Sequence, residues 1–467
     1  MSNLCKTQLC NAVQTIVNNT TCASSVEDIL FNTISVDSIQ PTNRISEIIT
    51  VADLPDASTV PNGHMIFSND VKVPVISSNG SWIGLDGRVL GTRAENPLFA
   101  WGVNTAGQLG DGTATLRTSP VREFCNATDW CQVSAGSSST TLGVCTTTAA
   151  IKTSGQLWAW GSNFCGQSGD GTVITRCRPV REFCSATDWC QVSVGWVHTA
   201  AVKTSGELWA WGRNDGGQLG DGTTVDRCSP VREFCSATDW CGVSLGYSNR
   251  HTVAIKTTGQ IWAWGCNNCG GVLGDGTVLG KCSPVREISS STDWCGVSAG
   301  SDHNSAIKTS GQIWSWGIGS SGSLGIGLVT SHCSPVREIC SATDWCQVDS
   351  GSDSTAAVKT SGQIWLWGLN CIGRLGDGTT VARCSPIREF CSATDWCQVS
   401  ISCHTAAVKT SGQLWTWGCN GSGELGDGTG TSRCSPVREF TSSRDWCQVK
   451  AGYRSSFAIK ATIIPCR

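Results

Sequence analysis

A Trp-Gly pair closes a short apolar segment seven times along this chain, at Trp101, Trp160, Trp211, Trp264, Trp316, Trp367 and Trp417. Successive pairs lie 59, 51, 53, 52, 51 and 50 residues apart, so most of the 467 residues repeat one supersecondary unit. A full unit runs from Asp188 to Phe234 as Asp-Trp-Cys-Gln-Val-Ser, His-Thr-Ala-Ala-Val-Lys, Glu-Leu-Trp-Ala-Trp-Gly and, after a Gly-rich loop, Ser-Pro-Val-Arg-Glu-Phe. Each segment is short, rich in Val, Ile, Trp or Phe, and bounded by Gly, Ser, Asn or Pro, which predicts four short antiparallel strands. Trp209 and Trp211 stand two apart on one strand and so project from the same face.

One such sheet cannot cover its own apolar face, whereas copies packed radially bury each Trp pair against the next sheet. The sequence therefore predicts an all-β, seven-bladed propeller of four-stranded antiparallel blades. The first copy begins late, at Asn96-Pro97-Leu98-Phe99-Ala100-Trp101, and the last ends after Phe457-Ala458-Ile459-Lys460. These N- and C-terminal half-repeats sum to one blade, so they are expected to pair and close the ring, leaving no open sheet edge. The expected domains are an extension over 1–46, a small β module over 47–95 and the propeller over 96–467.

Trp-Gly-x-Asn, Gly217-Gln-Leu-Gly-Asp-Gly-Thr223, the following Ser-Pro-Val and Gly195-x-x-His-Thr-Ala200 recur in order in nearly every copy. In these elements the chain resembles the regulator-of-chromosome-condensation repeat family, over roughly residues 96 to 467. The resemblance implies the propeller fold. It implies no single activity, because members of that family range from nucleotide exchange factors to binding scaffolds.

Residues present in every copy read as scaffold. Asp129, Asp188, Asp239, Asp293, Asp344, Asp395 and Asp445 each precede Trp, and Arg-Glu recurs in each fourth strand. Turn capping is expected for the Asp, and a charged outer edge for Arg-Glu. Each Gly-Asp-Gly-Thr loop offers one carboxylate where calcium takes about six to eight oxygens, so these loops are read as turns requiring positive φ. His198, His251, His303 and His404 occupy equivalent places, and Ser354 and Ser455 replace them elsewhere. A small polar hydrogen-bonding role fits both residue types better than a metal or proton-relay cluster does. No catalytic motif stands out, so neither enzymatic activity nor a cofactor or metal is expected.

The 29 cysteines contain five pairs flanking a link between blades: Cys125/Cys131, Cys184/Cys190, Cys235/Cys241, Cys340/Cys346 and Cys391/Cys397. A link that folds back would bring each pair into disulfide range, and blade-to-blade staples formed in an oxidising milieu are the expectation. The alternative is that the cysteines serve as small apolar fillers. Cys177 and Cys184 would lie about 23 Å apart on an extended strand and cannot pair. Cys266-x-x-Cys269 is too isolated to specify zinc.

Residues 51 to 90, with Pro61-Asn-Gly-His-Met-Ile-Phe, Val73-Pro-Val-Ile-Ser and Gly80-Ser-Trp82-Ile-Gly, read as small hairpins and resemble viral and phage fibre modules. That resemblance, with many cysteines and no basic, apolar start at Met1–Asn11, points to a non-enzymatic structural or adhesion protein of a virus or phage particle. Residues 1–95 would then contact other virion proteins, and the propeller would be displayed toward a host surface protein or glycan, as a homo-oligomer or part of a larger assembly. The expected location is the virion, or the exterior after lysis, with the cytoplasm as the alternative; the alternative function is a cellular or extracellular protein-interaction scaffold. A net charge of −3 argues against nucleic acid, and no apolar run reaches the roughly 18 residues of a membrane span. An exchange factor or chromatin adaptor would favour a basic tail, yet residues 1 to 47 carry only Lys6 and Arg44 against Glu27, Asp28, Asp37 and Glu47. Binding is expected where copies differ: Trp196, Val197, Arg213, Asn214, Asp215, Tyr247, Ser248, Asn249, Arg250, Tyr453 and Arg454, and the insertion Ser137 to Thr146.

Overall fold

The computed structural model describes residues 96–136, 146–248, 250–267 and 270–461, and the backbone of five strands between residues 45 and 90. Those five, β1 (Ile45–Ile49), β2 (Met65–Ser68), β3 (Val73–Ser78), β4 (Ser81–Gly84) and β5 (Val89–Leu90), form one sheet in that order. Strands β2 to β5 pair as successive antiparallel hairpins, as their sequences predict, and β1 adds to β2 in parallel. They belong to a unit separate from the one holding Pro97–Lys460.

The second unit is a ring of seven four-stranded antiparallel sheets. A representative blade contains β12 (Trp189–Val194), β13 (His198–Lys203), β14 (Leu208–Gly212) and β15 (Arg227–Arg232) in sequence order. Ring closure follows the half-repeat arithmetic. The final sheet is β32 (Trp446–Ala451), β33 (Ser455–Lys460), β6 (Leu98–Gly102) and β7 (Arg117–Arg122), with Ser456 opposite Trp101 and Ile459 opposite Leu98. Phe99 takes the place of the first tryptophan and meets Trp446 edge-on at 5.5 Å. No helix among the described residues is long and apolar enough to cross a membrane.

The tryptophans hold neighbouring blades together. Ala149, Ile151, Leu157 and Ala159 of one blade pack with Trp189, Val192, Val194, Ala201 and Trp211 of the next in a single buried cluster. Trp211 also donates its Nε1–H to the Gln167 carbonyl across the seam at 3.0 Å, so its polar atom is satisfied where its ring is buried. The glycine after each of these tryptophans is a steric necessity. Gly212 has φ +104°, and a Cβ there would lie 2.5 Å from the Val197 carbonyl oxygen.

The invariant charges turn out to act inward. Asp188 pairs with Lys203 at 3.0 Å, and Lys203 lies over the Trp189 and Trp209 rings. Glu182, expected on a charged outer edge, is only 1 % exposed. Its carboxylate accepts from the amides of Cys184 and Ala186, both at 2.6 Å, and from Trp189 Nε1 at 3.3 Å. Arg181 clamps the same link by donating to the Ser185 carbonyl, and Ser185 sits at φ +53°. The link's side chains face solvent, while the carboxylate buried beneath it satisfies the amides that turn inward.

This link keeps the expected cysteine staples open. Cys125, Cys184, Cys235, Cys340 and Cys391 are free, exposed thiols, so none of the five pairs is closed in the structure. The amides of Cys125, Cys184, Cys235 and Cys340 donate to the capping glutamates, while Cys131, Cys190, Cys346 and Cys397 direct Sγ to a carbonyl of their own blade's second strand, as Cys190 does to Val202 O at 3.3 Å. The remaining partner, Cys241, is buried.

Candidate functional site

In each blade the first and third strands run toward one end of the ring, where the loops between strands 1 and 2 and between strands 3 and 4 emerge. Four of the residues expected to bind meet there. Asp215 pairs with Arg213 at 2.7 Å and with Arg250 from the next blade, and Arg250 lies over the Trp196 ring at 5.9 Å. Burial pushes the Asp215 carboxyl up, but hydrogen bonds from Arg250 and Arg213 outweigh it and hold the group below the usual carboxylate range. Asp215 is exposed, and Trp196, Arg213 and Arg250 are half-buried. The group presents an aromatic face, two guanidinium groups and one shared carboxylate.

Other expected contacts prove structural. Val197 is fully buried, and its carbonyl accepts from the Arg213 amide. Asn214 is also fully buried: its Nδ2 donates to Asp221 at 3.0 Å and to the Thr223 carbonyl, while its Oδ1 accepts from the Leu219 amide. Asn104, Asn163, Asn370 and Asn420 repeat that arrangement, so the recurring Trp-Gly-x-Asn pattern was the signal that marks Asn214 as scaffold rather than the binding residue expected. The loop aspartates are likewise consumed internally. Asp221 accepts from Thr223 N and Oγ1 and pairs with Arg227, which agrees with a turn rather than calcium.

Ser248 donates to Asp302 at 3.0 Å, and Asn249 lies outside the described residues, as do 137–145 of the insertion. Tyr453 is half-buried and Arg454 exposed over its ring at 5.4 Å. No contact among the described residues joins this pair to the Trp196 group. The four histidines bridge neighbouring blades: His198 Nε2 meets Thr252 Oγ1 at 3.2 Å, and His251 Nε2 meets Asn304 Oδ1 at 2.9 Å. Burial holds His198 down to about 3 and His251 to about 4, so both are neutral hydrogen-bonding groups near neutral pH.

Tyr247 is only 5 % exposed and reaches toward the ring axis. There Lys450 pairs with Asp349 at 3.1 Å, with Tyr247 close enough to favour its charged form. Burial acts to lower the Lys450 pKa, but Asp349 and Tyr247 prevail and keep the ammonium charged. The axis is otherwise lined by a ladder in which Gln191 Oε1 accepts from Val243 N, Ser193 Oγ from Leu245 N, and so on from blade to blade. Sequence reasoning missed this lining. Its signal was available: Asp349 and Lys450 interrupt a position held by Ser134, Ser193, Ser244, Ser298 and Ser400.

These features define a seven-bladed propeller with an invariant frame and one end of divergent loops. The regulator of chromosome condensation (RCC1) repeat model matches residues 95–142, 154–202, 205–255, 258–307, 310–358 and 411–459, and the chain belongs to that family. It is similar to the ultraviolet-B receptor UVR8 of Arabidopsis thaliana, 30 % identical over 62 % of this chain and 65 % of the receptor. It is 27 % identical to the human E3 ubiquitin-protein ligase HERC2 over 64 % of this chain but 6 % of the ligase. The chain thus spans less than two thirds of either relative. In fold it is similar to yeast RCC1 (Prp20), solved bound to Kap60, with TM-score 0.68 and 17 % identity over 79 % of this chain and 90 % of that one. Human WBSCR16 gives TM-score 0.66 and 19 % identity over 79 % of this chain and all of that one. The virion reading draws no support from these relatives; the alternative of a cellular interaction scaffold does.

Proposed function

We propose that this chain is a non-enzymatic protein-interaction scaffold that engages a partner protein through its divergent-loop end, around Trp196, Arg213, Asp215 and Arg250. The observation that carries this reading is the Arg250–Trp196 contact, which joins two blades and leaves an aromatic ring and two guanidinium groups available together. Such groups dominate binding energy at protein interfaces, because a flat ring and a planar cation make large contacts at small entropic cost. Asp215 orders both arginines in advance. An acidic segment on the partner suits the pair of arginines. One solved propeller supports the reading by analogy: Prp20p of Saccharomyces cerevisiae is bound to Kap60 in one structure and has been characterised for binding to Gsp1p and histones in another.

The test is residue-resolved crosslinking in cells, comparing the wild-type chain with Trp196→Ala and Arg250→Glu. Crosslinks should concentrate at residues 196–197, 213–215 and 250 and disappear in both variants. The outer rim offers a competing surface, since Phe183, Phe234, Phe390 and Phe440 are each 65 to 66 % exposed. Crosslinks that map to that rim and persist in the variants would falsify the proposal.

A further inference from the structure

One blade departs from the others at three positions at once. It comprises β28 (Trp396–Ile401), β29 (His404–Lys409), β30 (Leu414–Gly418) and β31 (Arg433–Arg438). Its facing residues just beyond β29 and β30 are Cys403 and Cys419, with the Cys419 amide donating to the Cys403 carbonyl. The same facing place holds Val197 with Arg213, Arg250 with Cys266, Asp302 with Ile318, and Asp353 with Leu369 in other blades. No other described blade sets two thiols opposite each other. The third position is Glu424. It stands where Gln108, Gln167 and Gln218 stand elsewhere, in the loop leading to Leu-Gly-Asp.

Geometry brings the three together. The Cys403 and Cys419 sulfurs and a Glu424 carboxylate oxygen all lie within 4.8 Å of one another. Gln218 uses its Oε1 to accept from the Gly216 amide, and Glu424 uses Oε2 in the same way toward Ser422 N at 2.7 Å. The remaining atom, an amide NH₂ in the glutamine copies, is therefore a carboxylate oxygen here. It lies 3.7 Å from Cys419 Sγ. Cys403 and Glu424 are buried, and Cys419 is half-buried.

We propose that Cys403, Cys419 and Glu424 form a binding site for a thiophilic divalent cation of the zinc class. Two sulfurs and one carboxylate oxygen are three ligands of the type zinc takes, and on a tetrahedral ion such atoms stand about 3.5–3.8 Å apart, which small side-chain rotations reach from here. A disulfide would account for the two thiols but not for the buried carboxylate beside them. The Glu424 charge lies against both sulfurs and disfavours their thiolate forms, a repulsion that a bound cation relieves. Cys403 now directs its Sγ–H to the Tyr453 carbonyl, and metal binding would release that proton and the Cys419 proton to solvent. Arg374 is held by the Ser402 carbonyl and Cys371, which leaves Glu424 to the metal. A cavity of about 220 Å³ against both sulfurs, lined also by Asp353, Tyr453 and Arg454, leaves room for a water as fourth ligand.

The test uses the full, reduced, metal-free chain with zinc or cobalt added as the probe. Peptide-resolved alkylation should show Cys403 and Cys419 protected by zinc, while the rim thiols Cys184 and Cys235 react as before. Cobalt should give thiolate charge-transfer absorption that is lost in Cys419→Ile, a side chain Ile318 already supplies at the equivalent place. Glu424→Gln puts in the amide that Gln108, Gln167 and Gln218 carry in three other blades and should weaken affinity by at least the about 10–100-fold that an outer-shell partner is worth. The site is overturned if Cys403 and Cys419 alkylate equally with and without zinc, or if both variants take up as much cobalt as the wild-type chain.

Discussion

The two ends of each blade obey different rules. At the links, seven copies use the same buried glutamate, the same arginine clamp and the same positive-φ residue, from Asn126 and Ser185 through to Ser442. At the opposite end the facing residues beyond strands 2 and 3 differ in every blade: Thr146/Ser162, Val197/Arg213, Arg250/Cys266, Asp302/Ile318, Asp353/Leu369, Cys403/Cys419 and Arg454/Val103. The link turns amides inward onto a buried carboxylate, which admits few side chains at that position. The loop end only needs a backbone hydrogen bond between its facing residues, and any side chain permits that. Chemistry accordingly collects at the loop end.

Breaking the seam should have the largest effect. Trp211→Ala removes a fully buried ring shared between two blades and should cost about 3–5 kcal/mol, measured by denaturant unfolding. Glu182→Ala follows, since it strands two backbone amides and an indole N–H, and about 2–4 kcal/mol is expected. A loss as small as that of a surface substitution would show that water enters the link, and would erase the contrast between the two ends.

The histidines give a pH test of the seam. Each is neutral and buried in the fold, with a pKa of about 3 for His198, His303 and His404 and about 4 for His251, against 6.5 when exposed. The unfolded chain therefore binds more protons below that value, so stability is full above about pH 6.5 and falls as pH drops toward the folded values. The slope is about 1.4 kcal/mol per pH unit for each histidine. His198→Ser, the residue other blades use, should flatten the melting-temperature profile between pH 6.5 and 4 relative to wild type. The smallest effect belongs to the loop end. Exchanging Asp353/Leu369 for the Asp302/Ile318 pair by Leu369→Ile should change stability by about 0.5 kcal/mol or less.

Much of this was legible in the chain because a repeat compares itself. Periodicity placed the strands, the half-copies at Asn96 and Lys460 placed the closure, and Ser354 and Ser455 marked the histidine position as a hydrogen-bonding one. The same comparison fell short wherever direction mattered. Glu182 looked like an outer-edge charge because alternation along a strand says nothing about a link that turns back beneath a tryptophan. Cys184 and Cys190 looked like a staple because their separation along the chain carries no information on where Sγ points. Tyr247 looked like a loop contact, and it reaches Lys450 instead.

The sequence by itself determined the number of blades, their four-strand composition and the positive-φ turns of the Gly-Asp-Gly-Thr loops, since these follow from local period and backbone sterics. Only the tertiary structure decided which side chains meet across seams. Arg250 and Trp196 are separated by 54 positions along the chain, Lys450 and Asp349 by 101, and Cys403 from Cys419 and Glu424 by 16 and 21. Strand pairing and ring closure bring them within a few ångströms, and no local pattern records that distance.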